Sequence, residues 1–224
     1  MSERWLRYFA NIENTHKSIL EIASEAWCFS NPFYLKIKRL IKPPAKILEV
    51  GCGLGVHNIY LQACGYQVLG IDNDPDIIEK ARKNAVLFNS KAAFEVGDAF
   101  NLSRYENSFD LVFSVGVIEH FEKSESIELL KNQLKCAKYV IAVVPTKYIK
   151  YLDEGIIDEK IYNIHQLKRM FDEAGLKTID KFGYGDIPAV LHRSIRWALP
   201  FFCYKILQKY FSYSMGICCV GVKK

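Results

Sequence analysis

Carboxylates and glycines occur in this chain at spacings that suit the binding of a small ligand. The segment ILEVGCGLG contains Glu49, followed by Gly51, Gly53 and Gly55. Glycine lets a backbone turn tightly and approach a ligand without interference from a Cβ atom. Asp72 follows 21 residues after Gly51, where an acid can accept hydrogen bonds from both hydroxyls of a ribose. The pattern predicts a nucleoside-binding turn.

The details of this turn disfavour a dinucleotide. A dinucleotide fingerprint has glycine or alanine at the sixth place of Gly-x-Gly-x-x-Gly, and this chain has Val56 there. Glu49 stands where a dinucleotide-binding strand has an apolar residue, and Asp98 adds a carboxylate in Gly97-Asp98-Ala99. Carboxylates suit a cationic ligand better than a pyrophosphate. An NAD-dependent oxidoreductase is therefore the less favoured interpretation.

Glu119 and His120 are the best candidates for acid–base chemistry on a second reactant. They follow the apolar segment DLVFSV, and a histidine is suited to taking up a proton near neutral pH. Three interpretations of His120 stay open: proton transfer, lining of a pocket, and a structural role. His57 is a weaker candidate.

The elements that must position these residues alternate between strand and helix. Apolar runs predict strands at residues 47–50, 67–71, 92–96, 110–115, 139–144, 177–184 and 213–222. Helical patterns lie between them at residues 56–64, 75–88, 124–136 and 165–174. Such alternation is typical of a mostly parallel sheet with helices on both faces. Its carboxyl edge is where the acids and glycines would meet.

Residues 46–175 resemble the class I S-adenosylmethionine-dependent methyltransferases, especially those that act on small molecules. The resemblance rests on the glycine segment, the acids that end the second and third strands, FDLVFSVGVIEHF and HQLKRMFDEAGL, in that order. It implies a methyltransferase (EC 2.1.1.-) with S-adenosyl-L-methionine as cofactor. The implied α/β fold is Rossmann-like, with a seven-stranded, mostly parallel sheet whose last strand is antiparallel.

The resemblance also implies a role for each part of the site. The glycine loop would hold the methionine moiety, the acid after the second strand the ribose, and the acid after the third strand the adenine amino group. The fourth strand and its loop would close over the methionine. The residues expected at the cofactor are Glu49, Gly51, Cys52, Gly53, Asp72, Asn73, Asp98, Ala99, Ser114 and Val115, and no metal ligand is expected.

Missing motifs narrow the methyl acceptor. Residues 114–117 read Ser-Val-Gly-Val, without the Pro-Pro-aromatic motif of nucleic-acid amine methyltransferases, and Val144-Pro145-Thr146 lacks a nucleophilic cysteine. The paired glutamates of protein arginine methyltransferases do not fit Glu119. A small acceptor is expected, with lipid- and quinone-like compounds included, and a nucleic acid is not. An RNA methyltransferase and a non-catalytic, cofactor-binding partner subunit remain alternatives.

We predict a single domain over residues 1–224. It would comprise a helical cap (1–42), the cofactor-binding core (43–184), a helical insert (185–212) and the last strand (213–224). In the cap, Tyr8, His16, Trp27 and Phe29 are candidates to line the acceptor pocket. The insert is aromatic and basic. It could cover an apolar substrate, contact an anionic membrane surface through residues 188–211, or pack on the domain.

Composition agrees with a single globular domain and does not indicate an oligomeric state. Half of the 224 residues are hydrophobic and a quarter are charged. Seven scattered cysteines do not suggest a disulfide framework. We find no signal peptide and no apolar run near the ~20 residues of a spanning helix. The expected location is cytoplasmic, with peripheral membrane contact as an extension of that prediction.

Overall fold

The computed structural model describes residues 18–148, 160–187 and 190–224, with the backbone alone for 190–193. The strands are β1 (Lys46–Val50), β2 (Gln67–Asp72), β3 (Ala93–Val96), β4 (Phe109–Val115), β5 (Ala137–Pro145), β6 (Leu176–Tyr184) and β7 (Gly216–Lys223). The helices are α1 (Ile19–Phe29), α2 (Asn31–Leu40), α3 (Val56–Ala63), α4 (Pro75–Leu87), α5 (Lys123–Cys136), α6 (Ile164–Glu173), α7 (Val190–Ala198) and α8 (Phe201–Phe211). Two short 3₁₀ helices cover Ser103–Tyr105 and Ile118–His120.

The seven strands form one sheet in the order β3-β2-β1-β4-β5-β7-β6. The pairs of β1 with β2 and β4, of β2 with β3, and of β4 with β5 are parallel. Strand β7 is antiparallel to both of its neighbours, β5 and β6. The predicted fold, with a mostly parallel sheet and an antiparallel last strand, is confirmed.

Helices cover both faces of the sheet because the central strands are apolar on both sides. In β5, Val140, Ala142 and Val144 join the core under α5 and α6. The alternate residues Ile141 and Val143 join the opposite core, which includes α2 and α3. This continuous apolar strand is typical of a parallel sheet buried on both faces.

Capping side chains fix where two of the helices begin. Asp74 accepts hydrogen bonds from the amides of Asp76 and Ile77, with proline at the first position of α4. Asn163 and Gln166 form a capping box at the start of α6. These caps satisfy amides that have no partner within the helix. Both starts agree with the sequence pattern.

The last part of the chain differs slightly from the predicted boundaries. The insert is helical, as predicted, and consists of α7 and α8, with α8 packed on β6 and α6. The final strand begins at Gly216 rather than at Tyr213. Ser212 has a left-handed φ of 54°, and its hydroxyl accepts a 2.8 Å hydrogen bond from the Ile164 amide. Because of this turn, the strand begins three residues later than predicted. Among the described residues, no helix has the length and apolarity to cross a bilayer.

Candidate functional site

A cleft of about 540 Å³ opens at the carboxyl edge of the sheet, where β1 meets β4. The strand order reverses at this point, and open α/β sheets bind ligands in such crevices. The volume is typical of small-molecule sites. The predicted residues that line it are Glu49, Gly51, Cys52, Gly53, Asp72, Asn73, Asp98, Ala99, Val115 and His120.

The cleft has carboxyl groups but no lysine or arginine in its described lining. The carboxyl groups are those of Glu49, Asp72 and Asp98. Such a lining attracts a cation and repels a phosphate. This electrostatic character agrees with the prediction made from Glu49 and Asp98.

The glycine turn is held against β2 by backbone hydrogen bonds. The amides of Gly51 and Cys52 both donate to the carbonyl of Ile71, over 2.8 and 2.9 Å. Gly51 has a φ of +74°, and a Cβ atom added there would lie 2.5 Å from Cγ2 of Val117. Both the backbone conformation and the close approach therefore require glycine.

Asp72 ends β2 with its carboxylate fixed by main-chain donors. Its two oxygens accept hydrogen bonds from the amides of Gly53 (3.2 Å) and Asp74 (3.3 Å). Burial raises the pKa of Asp72, and these hydrogen bonds oppose the rise. The Gly97 amide donates to the Asp72 carbonyl over 2.9 Å. The loop that carries Asp98 therefore starts beside Asp72, at the same sheet edge.

Glu49 is buried, and its partner is a residue that sequence reasoning missed. With the Asn58 amide oriented to satisfy both neighbours, its nitrogen donates to the Glu49 carboxylate and its oxygen accepts from the Gly70 amide over 3.0 Å. Asn58 is fully buried in α3. Burial, with the nearby charge of Asp72, raises the pKa of Glu49 well above its usual value. In the sequence, the amide side chain of Asn58 shortly after the glycine turn was the feature that could have indicated this partner.

A second polar pair joins the cap to the cleft. The Tyr34 hydroxyl in α2 lies 2.6 Å from Nδ1 of His57, and His57 lines the cleft. Burial lowers the pKa of His57 to about 4, which leaves the imidazole neutral at physiological pH. Trp27 Nε1 donates to the Val56 carbonyl over 2.8 Å. Both contacts position the first turn of α3.

Some of the predicted residues lie outside the lining. Ser114 is buried in β4, where successive side chains point to opposite faces, so Val115 reaches the cleft and Ser114 does not. Glu119 is also buried, and the short 3₁₀ helix leaves only His120 at the cleft. Of the cap residues that were predicted to line the pocket, Phe29 packs on Tyr184 instead.

The cap reaches the cleft through a residue that sequence reasoning did not single out. Ile22 of α1 is part of the lining, whereas Trp27 and Phe29 are not. Tyr8 and His16 lie outside the described residues. Ile22 therefore lies five residues before Trp27 and seven before Phe29, nearer to the start of α1 than the predicted aromatic residues.

Comparisons with known proteins match this chain to methyltransferases. A family model described as a methyltransferase domain matches residues 47–138. Phosphoethanolamine N-methyltransferase 1 of Triticum aestivum is 27% identical over 149 residues, which are 62% of this chain and 30% of that protein. Norajmaline N-methyltransferase of Rauvolfia serpentina is 30% identical over 142 residues, which are 62% of this chain and 47% of that protein. The chain thus spans less than half the length of these relatives.

A solved structure of low identity shares the fold. Magnesium protoporphyrin IX methyltransferase of Synechocystis PCC 6803, solved with bound S-adenosylmethionine, superposes with a TM-score of 0.61 at 13% identity. The superposition covers 92% of this chain and 82% of that chain. The family model thus identifies a methyltransferase domain at residues 47–138, and the strand order and the glycine turn are those of the class I S-adenosylmethionine-dependent methyltransferase fold, a family whose methyl donor is S-adenosyl-L-methionine.

Proposed function

We propose that this chain transfers the methyl group of S-adenosyl-L-methionine to a small molecule in the cleft at β1 and β4. The observation that carries the proposal is the lining of carboxyl groups without a basic residue among those described. The cofactor carries a sulfonium and an amino group, both cationic, and a carboxylate lining stabilises such charges. A dinucleotide would instead bring a pyrophosphate to three carboxyl groups.

The residues present fit the parts of this cofactor. The Asp72 oxygens each accept one amide hydrogen bond and keep lone pairs for the two ribose hydroxyls. Asp98 and the Ala99 amide, in the next loop, would hold the adenine. The turn at Gly51, Cys52 and Gly53 would hold the methionine moiety, because its backbone can approach a ligand closely.

The chain's own task is then to position the acceptor. The cofactor supplies an activated methyl group when bound, so alignment of the acceptor is the main requirement. Phe100 and Phe121 pack edge to face, with ring centroids 5.1 Å apart, and line the cleft beside His120. We assign this side to the acceptor. His120 would take a proton from an acceptor that must lose one. Glu119 is buried outside the lining, so it would not contact the acceptor.

The relatives support a small-molecule acceptor. The wheat protein is named for phosphoethanolamine and the Rauvolfia protein for norajmaline, and neither name refers to a nucleic acid or a protein. An apolar, lipid- or quinone-like acceptor is the finer form of the proposal. The mixed apolar and aromatic lining on the His120 side supports it.

Calorimetric titration tests the cofactor. We expect micromolar binding of S-adenosylmethionine and S-adenosylhomocysteine and no binding of NADH. Asp72→Asn should weaken both by at least ~1.5 kcal/mol, the scale of hydrogen bonds to a charged group. Asp76→Asn makes the same charge change at an exposed position of α4 and should leave both affinities unchanged. Binding of NADH, or equal losses in the two variants, would contradict the proposed site.

Transfer of a labelled methyl group tests the acceptor class. Lipid extract, a mixture of small amines and total RNA should be offered in parallel with the labelled cofactor. Label in either of the first two supports the proposal, and His120→Ala should then lower turnover while cofactor affinity stays unchanged. Label in RNA alone, with affinity that falls steeply with salt, would favour the nucleic-acid alternative. Cofactor binding without turnover on any acceptor would favour a non-catalytic partner subunit.

A further inference from the structure

The insert presents large apolar side chains to solvent. Trp197 of α7 is 92% exposed, and in α8 Phe202 is 66% and Phe211 70% exposed. Phe201 and Tyr210 are also exposed. We call these five aromatic residues the aromatic face. An apolar patch of this kind on a folded domain marks a surface that contacts something else.

The orientation of α8 keeps this face outward. Its buried residues are Tyr204 and Gln208, one turn apart, so the helix turns a glutamine inward and leaves phenylalanines outside. The Tyr204 ring lies under the Arg196 guanidinium, 5.2 Å from its centroid, and packs edge to face with Tyr213 at 6.0 Å. Because the inner side is already packed, the aromatic face is not a poorly seated part of the core.

Basic side chains surround the aromatic face. Lys205 and Arg196 lie 5.3 and 5.4 Å from the Phe201 ring, and Lys181 and Lys209 lie 5.8 and 5.9 Å from the Tyr210 ring. These four cations bring positive charge to the aromatic face at close range.

The nearby acids among the described residues offset only part of this charge. Asp180 pairs with Lys36 and lies 4.0 Å from Lys209, and Asp186 lies 3.9 Å from Arg196, so two acids stand among five cations. From residue 187 to residue 211 the sequence contains four basic residues and no acid. The surface is therefore apolar and carries a net positive charge.

We propose that the aromatic face docks the protein on an anionic lipid bilayer. Aromatic side chains settle at the boundary between headgroups and acyl chains, and lysine and arginine beside them are attracted to anionic headgroups. A neutral protein partner would cover the rings but would leave the excess positive charge without a counterpart. The combination of exposed rings and a net positive charge thus favours lipid as the occupant.

The docking surface is connected to the edge of the sheet that holds the cleft. Strand β6 ends at Tyr184 and β7 begins at Gly216, and these two residues pair at the carboxyl edge. The connection that contains helices α7 and α8 begins and ends at this edge. Docking would therefore fix the position of the cleft relative to the bilayer. The inference does not depend on the proposed function, because lipid binding is measured without cofactor or acceptor.

Sedimentation of the full chain with vesicles tests the proposal. We expect binding to phosphatidylcholine vesicles that contain phosphatidylglycerol, at least about tenfold stronger than to phosphatidylcholine alone, and weaker at high salt. Trp197→Ser combined with Phe202→Ser should lower binding by about tenfold or more. The matched control is Val86→Ser with Leu87→Ser, an exposed apolar pair on α4, which should bind as the wild type does.

A charge reversal tests the electrostatic part separately. Lys205→Glu should weaken binding to the anionic vesicles several-fold, whereas Lys131→Glu, on the exposed side of α5, should not. Thermal unfolding and circular dichroism should be the same for all variants, since each changes an exposed side chain. Equal binding to both vesicle types would overturn the proposal, as would unchanged binding of the Trp197 and Phe202 double variant. Dimerisation that this double variant abolishes, without lipid binding, would assign the face to a second copy instead.

Discussion

The hydroxyl of Tyr34 and Nδ1 of His57 are 2.6 Å apart, and this contact links α2 to the first turn of α3 beside the cleft. Burial lowers the pKa of His57 to about 4 and raises that of Tyr34 above its usual value. Both partners are therefore neutral at physiological pH. The link is therefore a hydrogen bond between neutral groups.

The first prediction follows from the lowered pKa of His57. Between pH 6.5 and about 4 the unfolded chain binds a proton that the native protein does not, so His57 makes the free energy of unfolding fall with falling pH. The loss is at most about 3.4 kcal/mol at the acid end. Denaturant unfolding of His57→Gln across this range should show a shallower dependence than the wild type. His165→Gln, at an exposed position, is the control, and equal slopes in all three proteins would contradict the assignment.

Glu49 carries the opposite dependence on pH. Its pKa is raised in the native protein, so the native state keeps a proton that the unfolded chain releases, and stability is lost as pH rises above 4.5 toward the native pKa. Glu49→Gln removes this titration and retains an acceptor for Asn58. The melting temperature of the variant, relative to wild type, should therefore increase from pH 5 to pH 8. Glu128→Gln, on the exposed side of α5, should give a curve parallel to the wild type.

Binding of a cationic ligand at Glu49 should release a proton. A positive charge near the carboxyl group favours its ionised form, so the pKa must fall on binding. Calorimetric titrations of S-adenosylmethionine in buffers of different ionisation enthalpy measure the protons released. We expect more release than with S-adenosylhomocysteine, which lacks the sulfonium charge, and a smaller difference in Glu49→Gln. If both ligands released the same number of protons, the assignment of Glu49 to the cation site would be contradicted.

Two features of the turn require glycine at position 51, its backbone conformation and its close approach to Val117, and Gly51→Ala should be destabilised by both. A left-handed conformation costs about 1–2 kcal/mol for a residue with a Cβ atom, and the clash with Val117 adds to it. Gly175→Ala has the same left-handed requirement, but its Cβ would meet nothing within 4 Å. Chemical denaturation should therefore show the larger loss for Gly51→Ala.

Removal of the clash provides the matching test. Val117→Ala in the Gly51→Ala background should recover the steric share of the loss and leave the conformational share. A double variant no more stable than Gly51→Ala would show that the clash with Val117 is not the cause.

The sequence predicted those features that depend on local pattern. Apolar runs of four to ten residues indicated the strands, and the acids that end two of them, such as Asp72, lie at the shared carboxyl edge because parallel strands run in one direction. Side-chain direction was harder to predict. Whether Ser114 or Val115 faces the cleft depends on the register of β4 within the sheet. Glu119 turns inward because a short 3₁₀ helix follows the strand.

Contacts between distant segments were not predictable from the chain alone. Asn58 reads as an ordinary helix residue until α3 packs on β1 and β2 and places its amide between Glu49 and Gly70. Tyr34 and His57 are 23 residues apart and meet only when the cap closes on α3. Such partners become visible only when the elements are assembled.

The antiparallel insertion of β7 between β5 and β6 has a consequence for how this protein can vary. The β6–β7 connection leaves and re-enters the sheet at neighbouring positions, Tyr184 and Gly216, so its two ends stay close whatever lies between them. The entropy of closing a loop grows slowly with its length. A connection of this kind can therefore be lengthened, shortened or exchanged as a unit, and the surface that it forms can change while the glycine turn at β1 stays intact.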